Sequence, residues 1–107
     1  MADSAQYTDW CILVDGKPVP ADTAKVLDWL KIDSNRVIDL YEVDGVSVST
    51  VFCGLDQTFG IGDLPPEWFE TLVRGGPLSW EIVRYETIEQ ARDGHRAMVD
   101  RVQKGAA

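Results

Sequence analysis

The stretch Arg36-Val-Ile-Asp-Leu-Tyr-Glu-Val-Asp-Gly-Val-Ser-Val-Ser-Thr-Val-Phe-Cys53 decides the fold. Two β-rich runs, 36–43 and 46–53, flank Asp44-Gly45. Asp-Gly between such runs signals a two-residue type I′ hairpin, because both turn positions need positive φ. The turn then sets the register: Val43 opposite Val46, Tyr41 opposite Val48, Asp39 opposite Thr50, Val37 opposite Phe52. Side chains alternate across a strand, so Val37, Tyr41, Val43, Val46, Val48 and Phe52 are expected on one face, the core. Ile38, Leu40, Glu42, Ser47, Ser49, Val51 and Cys53 fall on the other, which should be mixed and partly covered.

Toward the N-terminus, Trp10-Cys-Ile-Leu-Val14 is a short apolar run that ends at Asp15-Gly16 and reads as a buried strand. Lys17-Pro-Val-Pro20 cannot be helix interior, since each Pro removes a donor and restricts its predecessor. A helix is expected to start near Ala21 or Asp22, with Val26, Leu27 and Leu30 on one face and Trp29 at its edge, and to stop before the turn-type cluster Asp33-Ser34-Asn35. Toward the C-terminus, residues 54–66 hold Gly, Pro and Asp without periodicity, the mark of a long and often functional loop. Residues 67–74 read as a strand with Phe69, Thr71 and Val73 on one face and Trp68, Glu70 and Leu72 on the other. Gly75-Gly76-Pro77 breaks the chain, and 80–85 is the last strand, pairing with 68–74 as a second hairpin. Thr87 with Gln90 fits a capping box. It opens a helix whose stripe is Ile88, Ala91, His95, Met98 and Val102. Gly94 beside that stripe costs a helix about 1 kcal/mol, which a close approach to the sheet would explain.

The expected fold is therefore α+β: four to five mostly antiparallel strands with two helices on one face, in the order β-α-β-β-β-β-α. Residues 10–103 form one domain, preceded by a flexible N-terminus (1–9) and followed by a short tail (104–107). At 107 residues and 11.9 kDa, area scaling leaves roughly two-thirds of the chain's surface to bury, enough for one modest core. Hydrophobic residues make up 45% and charged residues 26%, a globular balance. The net charge of −8 repels phosphate backbones and anionic lipid, so direct nucleic-acid or membrane binding is disfavoured. No apolar run is long enough to span a bilayer, and the start has neither the basic region nor the apolar run of a signal peptide. The cytoplasm of a host cell is the expected location, with Cys11 and Cys53 as free thiols.

Several segments carry a resemblance: Leu13-Val-Asp-Gly-Lys-Pro-Val-Pro20, Val48-Ser-Thr-Val-Phe-Cys-Gly-Leu-Asp-Gln-Thr-Phe-Gly60, Trp68-Phe-Glu-Thr-Leu-Val73, Arg84-Tyr-Glu-Thr87, and Ala91 with Gly94-His95. Together they resemble a group of small proteins encoded by bacteriophages, prophages and actinobacterial genomes. The likeness covers about residues 10–102. It implies a phage-type accessory role and no particular activity. Gln57 stands where that pattern often has His, and Trp68 where it has an aliphatic residue, so a mechanism needing that His does not carry over.

Chemistry-bearing patterns are sparse. His95, the one histidine, lies on an apolar helical stripe, where a packed and hydrogen-bonded ring is the ordinary reading. Cys11 and Cys53 lack the electropositive setting that activates a thiol. Neither they nor His95 show paired metal-ligand spacing, and Asp56 and Asp63 do not alternate as calcium ligands do, so no metal and no cofactor are expected. The glycines of 54–62 lack the cation of a phosphate cradle. Charge patterning remains. From Val37 through Val73 there is no Lys or Arg, but there are seven acids: Asp39, Glu42, Asp44, Asp56, Asp63, Glu67 and Glu70. Such a one-sign segment either solubilises the chain or docks a basic partner. The favoured expectation is a non-enzymatic protein that binds a basic host protein through these acids and Trp68, inhibiting a nucleic-acid-handling or defence enzyme. The alternatives are a small ligand-binding or enzymatic domain with a cleft near His95, and a homo-oligomer formed through a free sheet edge.

Overall fold

Nine elements follow one another in the computed structural model, which describes residues 5–6 and 8–105. They are β1 (Cys11–Val14), β2 (Lys17–Pro20), α1 (Thr23–Leu30), α2 (Asp33–Arg36), β3 (Val37–Val43), β4 (Val46–Phe52), β5 (Phe69–Arg74), β6 (Ile82–Tyr85) and α3 (Ile88–Gln103). The class is α+β, as the sequence predicts. The expected N-terminal segment 1–9 and tail 104–107 fall partly outside the described residues. Within them, Ala5 packs against the core.

β3, β4, β5 and β6 form a four-stranded antiparallel meander in that order. Asp44 and Gly45 both take positive φ, 51° and 79°, as the hairpin requires. The predicted register holds through Asp39↔Thr50 and then shifts: Val37 pairs with Val51, not Phe52. The extra residue at Ile38 is a bulge, and a bulge reverses the alternation beyond it. Ile38 accordingly packs against the core, although simple alternation assigns it to the outer face.

A second, two-stranded sheet joins β1 to β2. The sequence reading misses β2 because of its two prolines. The turn Asp15-Gly16 repeats the positive-φ pair of the central hairpin. In a two-residue hairpin the pair beside the turn exchanges hydrogen bonds and the next pair does not. Pro18 and Pro20 sit opposite Leu13 and Cys11, the non-bonded positions, so their missing N–H groups remove nothing from the ladder. The expected turn Asp33-Ser34-Asn35 forms, together with Arg36, the one-turn helix α2.

One face of the meander is covered. Val48, Thr50 and Phe52 of β4 and Phe69, Thr71 and Val73 of β5 are all buried, and α3 lies over them with Ile88, Ala91, His95 and Met98 inward. Phe52 meets Phe69 with ring centroids 5.5 Å apart, and Trp29 of α1 meets Phe52 edge-on at 5.8 Å. Each fully buried ring contributes roughly 1.5–3 kcal/mol by removal from water. Val26 is the buried residue of α1, while Leu27, expected on the same face, is exposed. Asp22 caps α1, accepting from the Lys25 N–H, and Thr87 and Gln90 form the predicted capping box of α3.

Gly94 explains itself here. A Cβ at this position would land on the hydroxyl and ring of Tyr85, so the glycine lets α3 settle onto β6. Gly94→Ala adds helix propensity of about 1 kcal/mol but must displace that ring, and overpacking of this kind costs about 1–3 kcal/mol. The variant is expected to unfold at lower urea concentration than the parent, with an unchanged denaturant slope.

Candidate functional site

Two arrangements beyond ordinary packing stand out. The first lies between α3 and the sheet. Thr50 and Thr71 are a cross-strand pair on the covered face, both fully buried. Their hydroxyl oxygens lie 2.5 Å apart. Thr50 Oγ1 also lies 2.8 Å from His95 Nδ1, and the Tyr85 hydroxyl donates to Thr71 Oγ1 at 3.0 Å. The Asp39 carboxylate facing Nε2 favours the neutral tautomer with its proton there, and with that tautomer the hydroxyl protons run from Tyr85 to Thr71, Thr71 to Thr50, and Thr50 to His95 Nδ1. Nδ1 is then an acceptor. Nε2 is directed at Asp39 of β3, whose Oδ1 is 3.8 Å away, beyond hydrogen-bond length.

The order Asp39–His95–Thr50 has the residue types of a nucleophilic triad. Its burial denies it that chemistry: Thr50 is fully enclosed and His95 is 3% exposed, so no carbonyl can reach the hydroxyl. Two clefts lie elsewhere. One of about 380 Å³ runs between the β1–β2 turn and the start of α3, bordered by Lys17, Trp68 and Glu89. The other, about 200 Å³, is bordered by Pro66, Arg84 and Gln90. His95 lines neither of them. The thiols are equally unreactive. Burial pushes Cys11 up to about 11, helped by Asp9, and Cys53 up to about 12, helped by Glu70. Both are free and protonated at neutral pH. Among the described residues no group of three or more His, Cys, Asp or Glu could hold a metal ion, and no helix is long and apolar enough to cross a membrane.

The second arrangement is the loop after β4. Asp56, read from sequence as a docking acid, is 3% exposed. Its carboxylate accepts from the N–H of Thr58, the hydroxyl of Thr58 and the N–H of Glu67, each at 2.9 Å. Gln57 N–H donates to the Glu67 carbonyl at 2.8 Å. Residues 56–58 are thus fastened to residue 67, and the segment between them arches outward. Its apolar side chains point away from the protein: Phe59 is 56% exposed, Ile61 70% and Leu64 64%. Phe59 holds a positive φ of 53°, unusual for a bulky residue and the sort of strain that collects at binding sites. The sequence reading finds the loop but not these three residues. The available signal is the placement of large apolar residues among Gly60, Gly62 and Pro65, where no core can form.

The expected acidic docking surface is not one surface. Asp56 and Trp68 are buried, Trp68 among Cys11, Phe69, Ile88 and Ala91 in the core. Asp39 faces the α3 side of the sheet beside His95. Glu42 and Glu70 stand on the opposite side, by alternation with the buried residues of their pairing partners. Glu70 is paired with Arg84 of β6 at 3.1 Å, so the segment that is one-sign in sequence is not one-sign in space. Asp44 and Asp63 are exposed at turn and loop, and Glu67 is half-buried at the loop's base.

Compared with known proteins, the chain matches no family model, no curated protein and no solved structure.

Burial holds His95 below its ordinary value of 6.5, opposed by Asp39 and reinforced by Arg96. The unfolded chain therefore takes up the proton first as pH falls. The stability contributed is fully present above about 6.5 and is lost below it. Protonation also turns Nδ1 into a donor against the Thr50 hydroxyl, reversing the chain. Chemical denaturation at about pH 7.5 and about pH 5.5 is expected to show a drop in stability that His95→Gln largely flattens. In the loop, Asp56→Ala strips three donors of their acceptor. It should cost about 1–3 kcal/mol and open a protease cleavage site within 58–66, seen by mass spectrometry of limited digests.

Proposed function

We propose that this protein is a non-enzymatic accessory protein of the bacteriophage or prophage kind. In this reading it binds a basic protein of the host cell, with the loop between Asp56 and Glu67 as its contact element. The observation that carries this reading is the pinned arch itself. Three large apolar side chains, Phe59, Ile61 and Leu64, are exposed together on a segment that a buried carboxylate holds in shape. Exposed apolar groups on a braced loop suit recognition, because little ordering entropy remains to be lost on binding. A net charge of −8, with Asp63 in the arch itself, favours encounter with a basic partner and raises its on-rate at low salt. Occlusion of a nucleic-acid site on a handling or defence enzyme is the concrete form of the proposal. A binder, not a catalyst, is supported by the enclosure of Thr50 and His95 and by thiols that stay protonated.

The test uses the full chain as bait in bacterial lysate, with the captured protein then purified and titrated by calorimetry. Phe59→Ser with Leu64→Ser is expected to weaken binding at least about 30-fold, the loss of two anchors of about 1 kcal/mol or more each. Asp63→Asn should lower the association rate and its salt dependence. Undiminished affinity in the double variant would sink the proposal.

A further inference from the structure

The sheet has a second face, and among the described residues no element packs on it. It consists of the residues that alternate with the buried ones. Its middle row runs Leu40, Ser49, Leu72, Ile82 across all four strands. Leu40 is 52% exposed and Ile82 47%. Half-covered Val51 adjoins this row. At the β5–β6 turn Trp80 is 68% exposed with a positive φ of 74°, and Arg74 lies over its ring at 5.8 Å. An apolar band edged by charges is the composition of an interface, and Trp and Arg are among the residues enriched at interface hot spots.

The charges identify the occupant. On one side of the middle row stands Arg74, opposite Ser47, with Trp80 beside it. On the other side stand Glu70, opposite Val51, and Arg84. A two-fold axis running across the strands along the middle row turns this face onto itself. Leu40, Leu72 and Ile82 then meet their own counterparts. Arg74 of one copy meets Glu70 of the other, and Arg84 meets the exposed ring of Trp80. Both contacts occur twice, as an isologous interface demands. Arg74 has a ring beneath it but no carboxylate of its own chain among the described ion pairs, so the second copy supplies its counter-charge.

We propose that the open face of the sheet is a homodimer interface, two copies packing sheet on sheet about that axis. This goes beyond the loop-mediated reading and stands apart from it. Four strands about 4.8 Å apart and six residues at about 3.3 Å make a face roughly 19 by 20 Å. Two such faces opposed amount to roughly 760 Å², below the range of stable specific interfaces, so a weak dimer that dissociates in the high-micromolar range is expected. The exposed loop residues Phe59 and Ile61 are not among the paired contacts, so partner capture by the loop and loss of the dimer are read out by separate variants.

Sedimentation of the wild-type chain across about 1 μM to 1 mM should show mass doubling with a constant in that range. Glu70→Lys and Arg74→Glu, each alone, place like charges opposite one another twice and should leave monomers, with circular dichroism confirming an intact fold. Mixing these two variants in equal amounts places opposite charges at all four positions and should restore the dimer. A wild-type chain monomeric throughout the range overturns the proposal. So do dimers unaffected by either substitution, which would place the contact at the edges β3 or β6, and a mixture that stays monomeric.

Discussion

Most of this structure depends on one requirement: two threonines in the middle of a core face must find hydrogen-bond partners without water. Thr50 and Thr71 are fully buried at the centre of the sheet, where an unpaired hydroxyl costs about 1–3 kcal/mol. They satisfy each other, and the remaining valences fall to His95 from above and Tyr85 from the side. This fixes the rotation of α3, since His95 must face the sheet, and its height, since Tyr85 must reach beneath it. Gly94, next to His95, is the position at which any side chain would collide with that ring. The polar chain also divides the apolar core. Phe52, Phe69, Trp68 and Ile88 lie to one side and Val48, Val73 and Met98 to the other. A fully satisfied polar layer between two apolar clusters restricts how the helix can slide, which apolar contacts alone do poorly.

The parts of this architecture legible in the sequence are those written in local chemistry. Asp44-Gly45 announces its turn, Thr87 and Gln90 their capping box, and the alternation of Phe69, Thr71 and Val73 its buried face. What alternation does not show is the bulge at Ile38, because a β-branched residue inserted next to another, Val37, leaves no compositional mark. The β1–β2 hairpin was hidden by its prolines, although both occupy positions that need no donor. The same alternation that places Val48 and Phe52 in the core places Thr50 between them. Alternation also puts Asp39 opposite Thr50 on that face, but that His95 of α3 comes down between them is visible only in three dimensions.

The acidic segment shows the opposite case, a pattern plain in sequence that dissolves in three dimensions. Seven acids without a base between Val37 and Val73 invite one surface, but a meander sends successive residues to opposite faces and brings other strands alongside. Arg84 arrives from β6 to pair with Glu70, and Asp56 turns inward to hold a loop together. Linear charge runs predict a surface only where the chain stays on one side, as on a helix. The exposure of the apolar side chains in the 58–64 arch is hidden in the sequence for a related reason: Phe, Ile and Leu are residues of the core by default. Here Asp56 draws Thr58 and Glu67 together beneath them and leaves them no interior to enter.

The charge distribution and the two outward apolar features then bear on each other. Copies carrying a net charge of −8 repel at long range, which opposes self-association, but at physiological salt that repulsion fades beyond about 8 Å. Close contact is decided by local complementarity instead. The open sheet face is where the arginines of β5 and β6 gather, making it the least acidic side of the sheet and the one a like-charged copy can approach. The arch has no Lys or Arg and carries Asp63, so it suits a partner of the opposite sign. The two proposed contacts would thus be separated by charge, self on the sheet and non-self on the loop, and both surfaces are carried by a core whose helix His95 helps set in place.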